Sequence, residues 1–451
     1  MSQEKFEKVV QIVKEMMEEH HVPGIALGII DGDQTYTTGL GVTSVDNPLD
    51  VTDETLFQIG SITKTYTTTA IMCLVEQGKL DLNARVRQYL PNFKVLDDSV
   101  ADKVTVKHLV THSAGWVGDV FTDTGSNDDS MKLYMEQMAE LDQLAPPDTV
   151  FSYNNAAFAV AGHLIEIVTG KPYEAAIQEL IFEPLGLERS FFFPRDMMTF
   201  RFVVGHVVID DVAKVQRPWS IPRSSNAAGG ITCHVKDLLS YARLHMEDGT
   251  TKDGTRLLSS ETVQLMQTPQ FPINDFDGDI GLSWWIKERN GVKLVGHGGT
   301  TIGQTCDMVF APSKRFAIAI LANGNQGSLP VHAGFKVALK EYLGIEEPES
   351  LPAPASVEEL DVYIGTYARP AATFEVTQDE GYLFAKMTPN ISLGDEKPPE
   401  IPPFKLSLSS KDQFFVTEGM YKDLRVEFLR KDDGNIGWFR LGARINPRVE
   451  S

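Results

Sequence analysis

Apolar residues recur at helical spacing near the N-terminus, where Phe6, Val9, Val10, Val13 and Met16 fall on one face and predict an amphipathic first helix. GIALGIIDGDQTYTTGLGVTS (24–44) then reads as two strands joined at the DGDQ turn. The next segment, FQIGSITKTYTTTAIMCLVEQGKL (57–80), predicts a helix ending at Gly78. Its second half carries an apolar stripe, whereas its opening turn sets Ser61 and Lys64 on one face. From about 80 to 290 helical patterns dominate, with Gly170 and Pro172 separating two helices. KLVGHGGTTIGQTCDMVFAPSKRFAIAILANGN (293–325) predicts adjacent strands. EEPESLPAPAS (346–356) is rich in proline and charge and reads as a linker. Beyond it, YIGTYA, TFEVTQ, YLFAKM, FKLSLSS, DQFFVTE, RVEFLR and GWFRLGA are short strand-like runs, which predict a small antiparallel barrel or sandwich.

Composition narrows the function. Lysine and arginine total 41 against 62 aspartate and glutamate, a net charge of −21, which argues against nucleic acid and anionic membranes as partners. No apolar run is long enough to span a bilayer, and no signal-peptide pattern is visible at the N-terminus. Cys73, Cys233 and Cys306 lie far apart and form no disulfide framework or ligand-spaced pair. The expectation is a cytoplasmic protein with no metal and no other cofactor.

Three elements carry candidate chemistry. In Ser61-Ile62-Thr63-Lys64 a serine oxygen lies beside the unpaired N–H groups of a helix start, with a lysine one turn on. A desolvated Lys64 can lose its proton and accept the serine's. Alone, the pattern is equally that of an N-cap serine and a surface lysine. Tyr153 and Asn155 stand at Y-x-N spacing, the phenol a candidate base and the amide a candidate ligand for a substrate carbonyl. His297-Gly298-Gly299 ends a strand run; the glycines admit a ligand close to the backbone, and His297 is a titratable donor.

In this order the three elements resemble those of the penicillin-binding protein and serine β-lactamase superfamily. GVTSVDNPLDVTDETLFQIGSITKTYTTTAIMCLVEQGKLDLNARVRQYLP, VTVKHLVTHSAGW, NAAGGITCHVKDLL and GHGGTTIGQTCDMVFAPSKRFAIAILAN are similar to its blocks, specifically to the CubicO-type branch of class C β-lactamases, D-aminopeptidases and family VIII esterases. The resemblance implies an α/β plus all-α catalytic fold, an antiparallel sheet flanked by helices with a helical insertion, followed by an all-β lipocalin-like barrel. The expected division is a catalytic domain at 1–345 with its insertion at about 80–290, a linker at 346–356 and a barrel at 357–451.

Ser61 is then implied as nucleophile, Lys64 as its partner, Tyr153 as general base, Asn155 and His297 as further site residues, and the N–H groups of Ser61 and Thr300 as oxyanion hole. Which of Lys64 and Tyr153 takes the first proton is open. Family members that act on β-lactams have K-T-G where this chain has His297-Gly298-Gly299, which favours the peptidase and esterase members. Trp116, Asp119 and Asp123, in the acidic segment WVGDVFTDTGSNDDS (116–130), are candidate substrate contacts with Gly298 and Gly299; Asp119, Asp123, Asp128 and Asp129 could receive a free amine, or form a solvated loop. Ser113 is read as structural, and His108 with His112 as a weak metal pair. The expected function is hydrolysis of a short peptide or small ester through an acyl-enzyme, by a chain that forms a homo-oligomer. The alternatives are a β-lactamase or D,D-carboxypeptidase, and a catalytically silent binding protein.

Overall fold

The computed structural model describes residues 2–251, 253–274, 278–346, 354–390, 401–419 and 421–449. Helix α1 (Ser2–Glu19) buries Phe6, Val9 and Val13, as its spacing predicts. Strands β1 (Gly24–Asp31) and β2 (Gln34–Gly41) form a hairpin. Three longer helices follow: α2 (Thr63–Glu76), α3 (Asn155–Thr169) and α4 (Val235–Met246). Six strands come next: β3 (Phe271–Asn274), β4 (Gly278–Ile280), β5 (Trp285–Arg289), β6 (Val292–Thr301), β7 (Gln304–Ala311) and β8 (Phe316–Ala322). Helix α5 (Ser328–Ala338) packs on α1.

The eight strands make one antiparallel sheet in the order β2-β1-β8-β7-β6-β5-β4-β3. Strands β1 and β8, far apart in sequence, are therefore neighbours, with Leu27 opposite Ile320. Helices α1 and α5 cover one face through Phe6, Val9, Val13, Val331 and Phe335. The other face meets α2, α3 and α4 in a larger apolar cluster. Helix α2 lies at the centre of that cluster, buried from Thr63 to Leu74. Its threonines tolerate burial because their hydroxyls are paired: Thr65 with the Ile62 carbonyl at 2.8 Å, Thr67 with that of Ala227 at 2.7 Å, Thr69 with the Tyr241 hydroxyl at 2.9 Å.

The helical region is shorter than its pattern suggested. The expected insertion to about 290 ends with the helix Ser260–Met266, and Phe271–Asn274, Gly278–Ile280 and Trp285–Arg289 are sheet strands. These strands are three to five residues long, too short to show a clear alternation, and only the Asn290-Gly291 turn marks them.

The C-terminal runs form β9 (Gly365–Arg369), β10 (Ala372–Asp379), β11 (Tyr382–Pro389), β12 (Phe404–Ser410), β13 (Gln413–Val416), β14 (Arg425–Arg430), β15 (Ile436–Leu441) and β16 (Arg444–Pro447). They pair in chain order, and a bridge between Tyr367 and Arg448 brings the last back to the first. The lumen is aromatic, with Tyr367, Phe374, Phe404, Phe414, Phe428 and Phe439 buried. The run GWFRLGA is not one strand: it stops at Leu441, and Gly442 (φ +56°) and Ala443 (φ +66°) form a two-residue turn into β16. Of the expected linker, 347–353 lie outside the described residues.

Candidate active site

Ser61 lies in a tight turn, Gly60–Ile62, that leads directly into α2. Glycine is required on both sides of the junction with β6. Gly60 has φ +50°, and a Cβ there would lie 2.7 Å from the Thr300 nitrogen. A Cβ on Gly299 would lie 2.0 Å from the Ile59 carbonyl oxygen and 2.9 Å from the Ser61 nitrogen. With neither side chain present, the serine turn and the strand end meet backbone to backbone.

Lys64 has no exposed surface. Its Nζ is 3.0 Å from Ser61 Oγ and donates to the Ala228 carbonyl at 2.7 Å. It also stands 5.0 Å from the centroid of the Tyr153 ring. Burial pushes the ammonium well below the usual lysine range; the Arg444 charge lowers it further and Asp119 opposes both.

Tyr153 directly precedes the cap of α3, where the Asn154 side chain accepts the Ala157 N–H at 2.8 Å. Its phenol hydrogen-bonds to Ser61, yet burial dominates and raises its pKa. His112 stacks on the ring at 4.4 Å, and its Nδ1 accepts the Asn154 N–H at 2.9 Å. His112 and Tyr153 thus hold one another in place. Asn155 opens α3 and donates to Asp119 at 2.8 Å.

His297 lies across from Tyr153 with ring centroids 6.2 Å apart. Burial, aided by the charge of Lys64, pushes its pKa down to about 3. Its ring is then a neutral imidazole over the ordinary pH range, with one N–H still available as a donor.

The turn between β15 and β16 reaches into this site. The Ala443 carbonyl accepts the Tyr153 N–H at 2.8 Å. The Arg444 guanidinium lies 4.6 Å from the Tyr153 ring centroid and pairs with Asp119 at 2.9 and 3.2 Å. A cleft of about 550 Å³ results, lined by Ser61, Tyr153, Asn155, His297, Thr300 and Arg444 among others.

The acidic segment borders the cleft through Phe121, but not through the residues expected to contact substrate. Trp116 is wholly buried and packs 5.9 Å from Phe93, so it belongs to the core and not to a pocket wall. Burial raises the Asp119 carboxyl, but the charge and hydrogen bonds of Arg444, with the Arg369 charge and the Asn155 hydrogen bond, together outweigh this and hold it low. Asp123 is exposed and accepts the Gly125 N–H of its own loop at 2.9 Å, and Asp128 pairs with Arg223 at 2.7 Å. None of the three aspartates faces the cleft. Ser113 is buried on Thr111, and His108 Nδ1 accepts the Thr105 N–H at 3.2 Å. The sequence reading missed Arg444, and it took His112 for part of a weak metal pair where the ring stacks on Tyr153. For His112 the signal was its place in a family block; for Arg444, a glycine breaking a strand run.

The family known as Beta-lactamase matches residues 9–340. The chain belongs to the beta-lactamase family. Within this family it is 34% identical over 362 residues to penicillin-binding protein 4 of Amycolatopsis lactamdurans, covering 78% of this chain and 94% of that protein. The solved structure of SurE superposes with a TM-score of 0.80 at 26% identity over 100% of both chains, and SurE with D-Leu at 0.78 and 25% over 99% of this chain and 100% of that one. The octameric penicillin-binding protein homologue from Pyrococcus abyssi gives 0.67 at 27%, covering 97% of this chain and 98% of that one. The beta-lactamase fold thus carries an added eight-stranded antiparallel barrel, consistent with a lipocalin-like domain. Among the described residues no helix is long and apolar enough to cross a membrane.

Proposed function

We propose that this serine hydrolase forms an acyl-enzyme on Ser61 and resolves it with water, acting on short peptides, D-residue-containing ones included, or on small esters. The observation that carries the reading is the Lys64 amine, enclosed by protein and held against Ser61 Oγ at 3.0 Å. Neutral Lys64 takes the Ser61 proton as Oγ attacks the carbonyl carbon. Negative charge then develops on the carbonyl oxygen, which the Ser61 and Thr300 N–H groups receive. Tyr153, a protonated phenol on Ser61, passes its proton to the leaving group and is reprotonated by Lys64. Water attacks the acyl-enzyme by the reverse path. The directions of the two pKa shifts favour Lys64 over Tyr153 as first base, because burial favours a neutral amine and a neutral phenol alike.

Asn155 and Gly299 line the acyl path in this reading. β-Lactam or D,D-carboxypeptidase activity is disfavoured, since neutral His297 replaces a lysine and the Arg444 charge is engaged with Asp119. Residues 1–345 supply the chemistry and 357–451 roof it through the 442–444 turn.

Measurement of kcat/KM for a p-nitrophenyl ester and for L- and D-amino-acid p-nitroanilides tests the assignment, with Ser61→Ala as blank. Turnover of the ester and of a D-residue anilide is expected, and loss of both in the variant. Activity surviving in Ser61→Ala would mean another nucleophile. The octameric homologue also supports self-association of this chain. A light-scattering mass of one 50.0 kDa chain would remove that reading.

A further inference from the structure

The carboxylates that sequence suggested for binding a substrate amine are engaged or exposed: Asp119 holds Arg444, Asp128 holds Arg223, and Asp123 caps its own loop. A different carboxylate lines the cleft. Asp307, on β7, is the one acidic side chain among the described residues that form its wall. Its strand partner is Gly298. A Cβ on Gly298 would lie 3.6 Å from Asp307 Cγ and 3.7 Å from each carboxylate oxygen, so the acid occupies the side of the strand that the glycine leaves bare.

Topology makes Asp307 reachable. Strand β6 pairs with β5 only as far as Gly296, so among the described residues the edge from His297 to Thr301 has no strand on that side. Cys306, Met308 and Phe310 turn into the core beside α2, while Asp307 alternates to the face covered by α5. The cleft passes over the bare glycine edge to reach it. There it opens into a second cavity of about 560 Å³ between the sheet and the barrel, to which Asp307, His332 and Gly442 are common.

Asp307 accepts the Met308 N–H at 2.8 Å and makes no ion pair among the described residues. Burial raises its pKa, with the charges of His332 and Lys287 acting in the opposite sense. A carboxylate on the cleft wall with no ion pair among the described residues is placed to take a cation from a substrate.

We propose that Asp307 is a specificity residue that binds a positively charged group of the substrate, a primary ammonium, in the arm of the cleft that crosses the Gly298 edge. The proposal rests on Ser61-centred hydrolysis and adds a substrate class to it: short amino-acid derivatives with a cationic group.

The test pairs two p-nitrophenyl esters of equal length, one ending in a primary ammonium and one in a hydroxyl, on the native enzyme and on Asp307→Asn. The native enzyme is expected to prefer the ammonium ester in kcat/KM by roughly 10- to 100-fold, the range of a charge-assisted hydrogen bond. Asp307→Asn is expected to lose that preference through KM while keeping the hydroxyl ester's kcat. Equal preference in the two proteins would overturn the proposal, as would an equal loss on both esters, which marks a role in strand packing alone. Should the variant not fold, competition on the native enzyme decides: an alkylammonium must inhibit more strongly than the alcohol of the same length, and equal inhibition ends the idea. The proposed nucleophile stands or falls separately, because turnover of the hydroxyl ester requires Ser61 and not Asp307.

Discussion

Lys64→Met will lower kcat/KM by about a thousandfold or more, nearly as far as Ser61→Ala, and the double variant will be little worse than either. The two groups act as one unit. Without the amine the serine hydroxyl keeps its proton, and Tyr153 cannot substitute because burial keeps it a protonated phenol. Methionine fills similar volume without charge, so loss of activity cannot be laid to a cavity beside Phe158 and Tyr153. The pH profile makes the argument sharper. Activity requires the neutral amine, so kcat/KM should rise with pH through the Lys64 pKa, which burial places well below the ordinary lysine range. Arg444→Gln removes a cation that depresses this pKa and leaves Asp119, which raises it, without its guanidinium partner. Both changes act in one direction, and the acid limb should move to higher pH. An unmoved limb, or multiplicative losses in the double variant, would take the first proton away from Lys64.

The difference between Lys64 and Arg444 shows what the sequence could disclose. Ser61 and Lys64 are three residues apart on one helical turn, so local geometry alone brings them together. Tyr153 and Asn155 are legible through their spacing, whereas the pairing of β1 with β8 appears only in the structure. Arg444 has no local signature: it enters the site because an eight-stranded meander closes and aims its last turn at the cleft. Without Arg444 in view, Asp119 reads as a free carboxylate awaiting an amine. The same blindness affected Trp116, since an aromatic residue beside a polar loop looks alike whether it walls a pocket or fills a core. Asp307 did leave a trace, as one acid within the apolar run TCDMVFA. Only the register opposite Gly298 shows why an acid there is accommodated.

Arg440→Met will lower the unfolding temperature by roughly 10 °C, a cost of about 3–5 kcal/mol, and will reduce activity as well. Arg440 is 1% exposed although it is charged. Its Nε pairs with Glu427 at 2.9 Å within the barrel, while Nη1 and Nη2 reach the Phe151 and Ile273 carbonyls of the catalytic region at 3.1 and 2.6 Å. Methionine leaves Glu427 without this cation and both carbonyls without this donor, at side chains that are almost wholly buried. Phe151 is two residues from Tyr153, so a shift there reaches the phenol on Ser61 directly. The neighbouring contacts are weaker and cannot compensate: Trp438 donates to the Leu144 carbonyl at 2.9 Å, and Ile445 packs with Ala145 and Val150. Calorimetry on Arg440→Met and on Arg440→Met with Glu427→Gln separates the causes. If the second substitution recovers stability but not activity, the buried charge carried the stability and the Phe151 contact the catalysis. If Arg440→Met unfolds at the native temperature with native kcat/KM, the barrel is held by its other contacts, Arg444 with Asp119 and Trp438 with Leu144 among them, and the 442–444 turn reaches Tyr153 without this anchor.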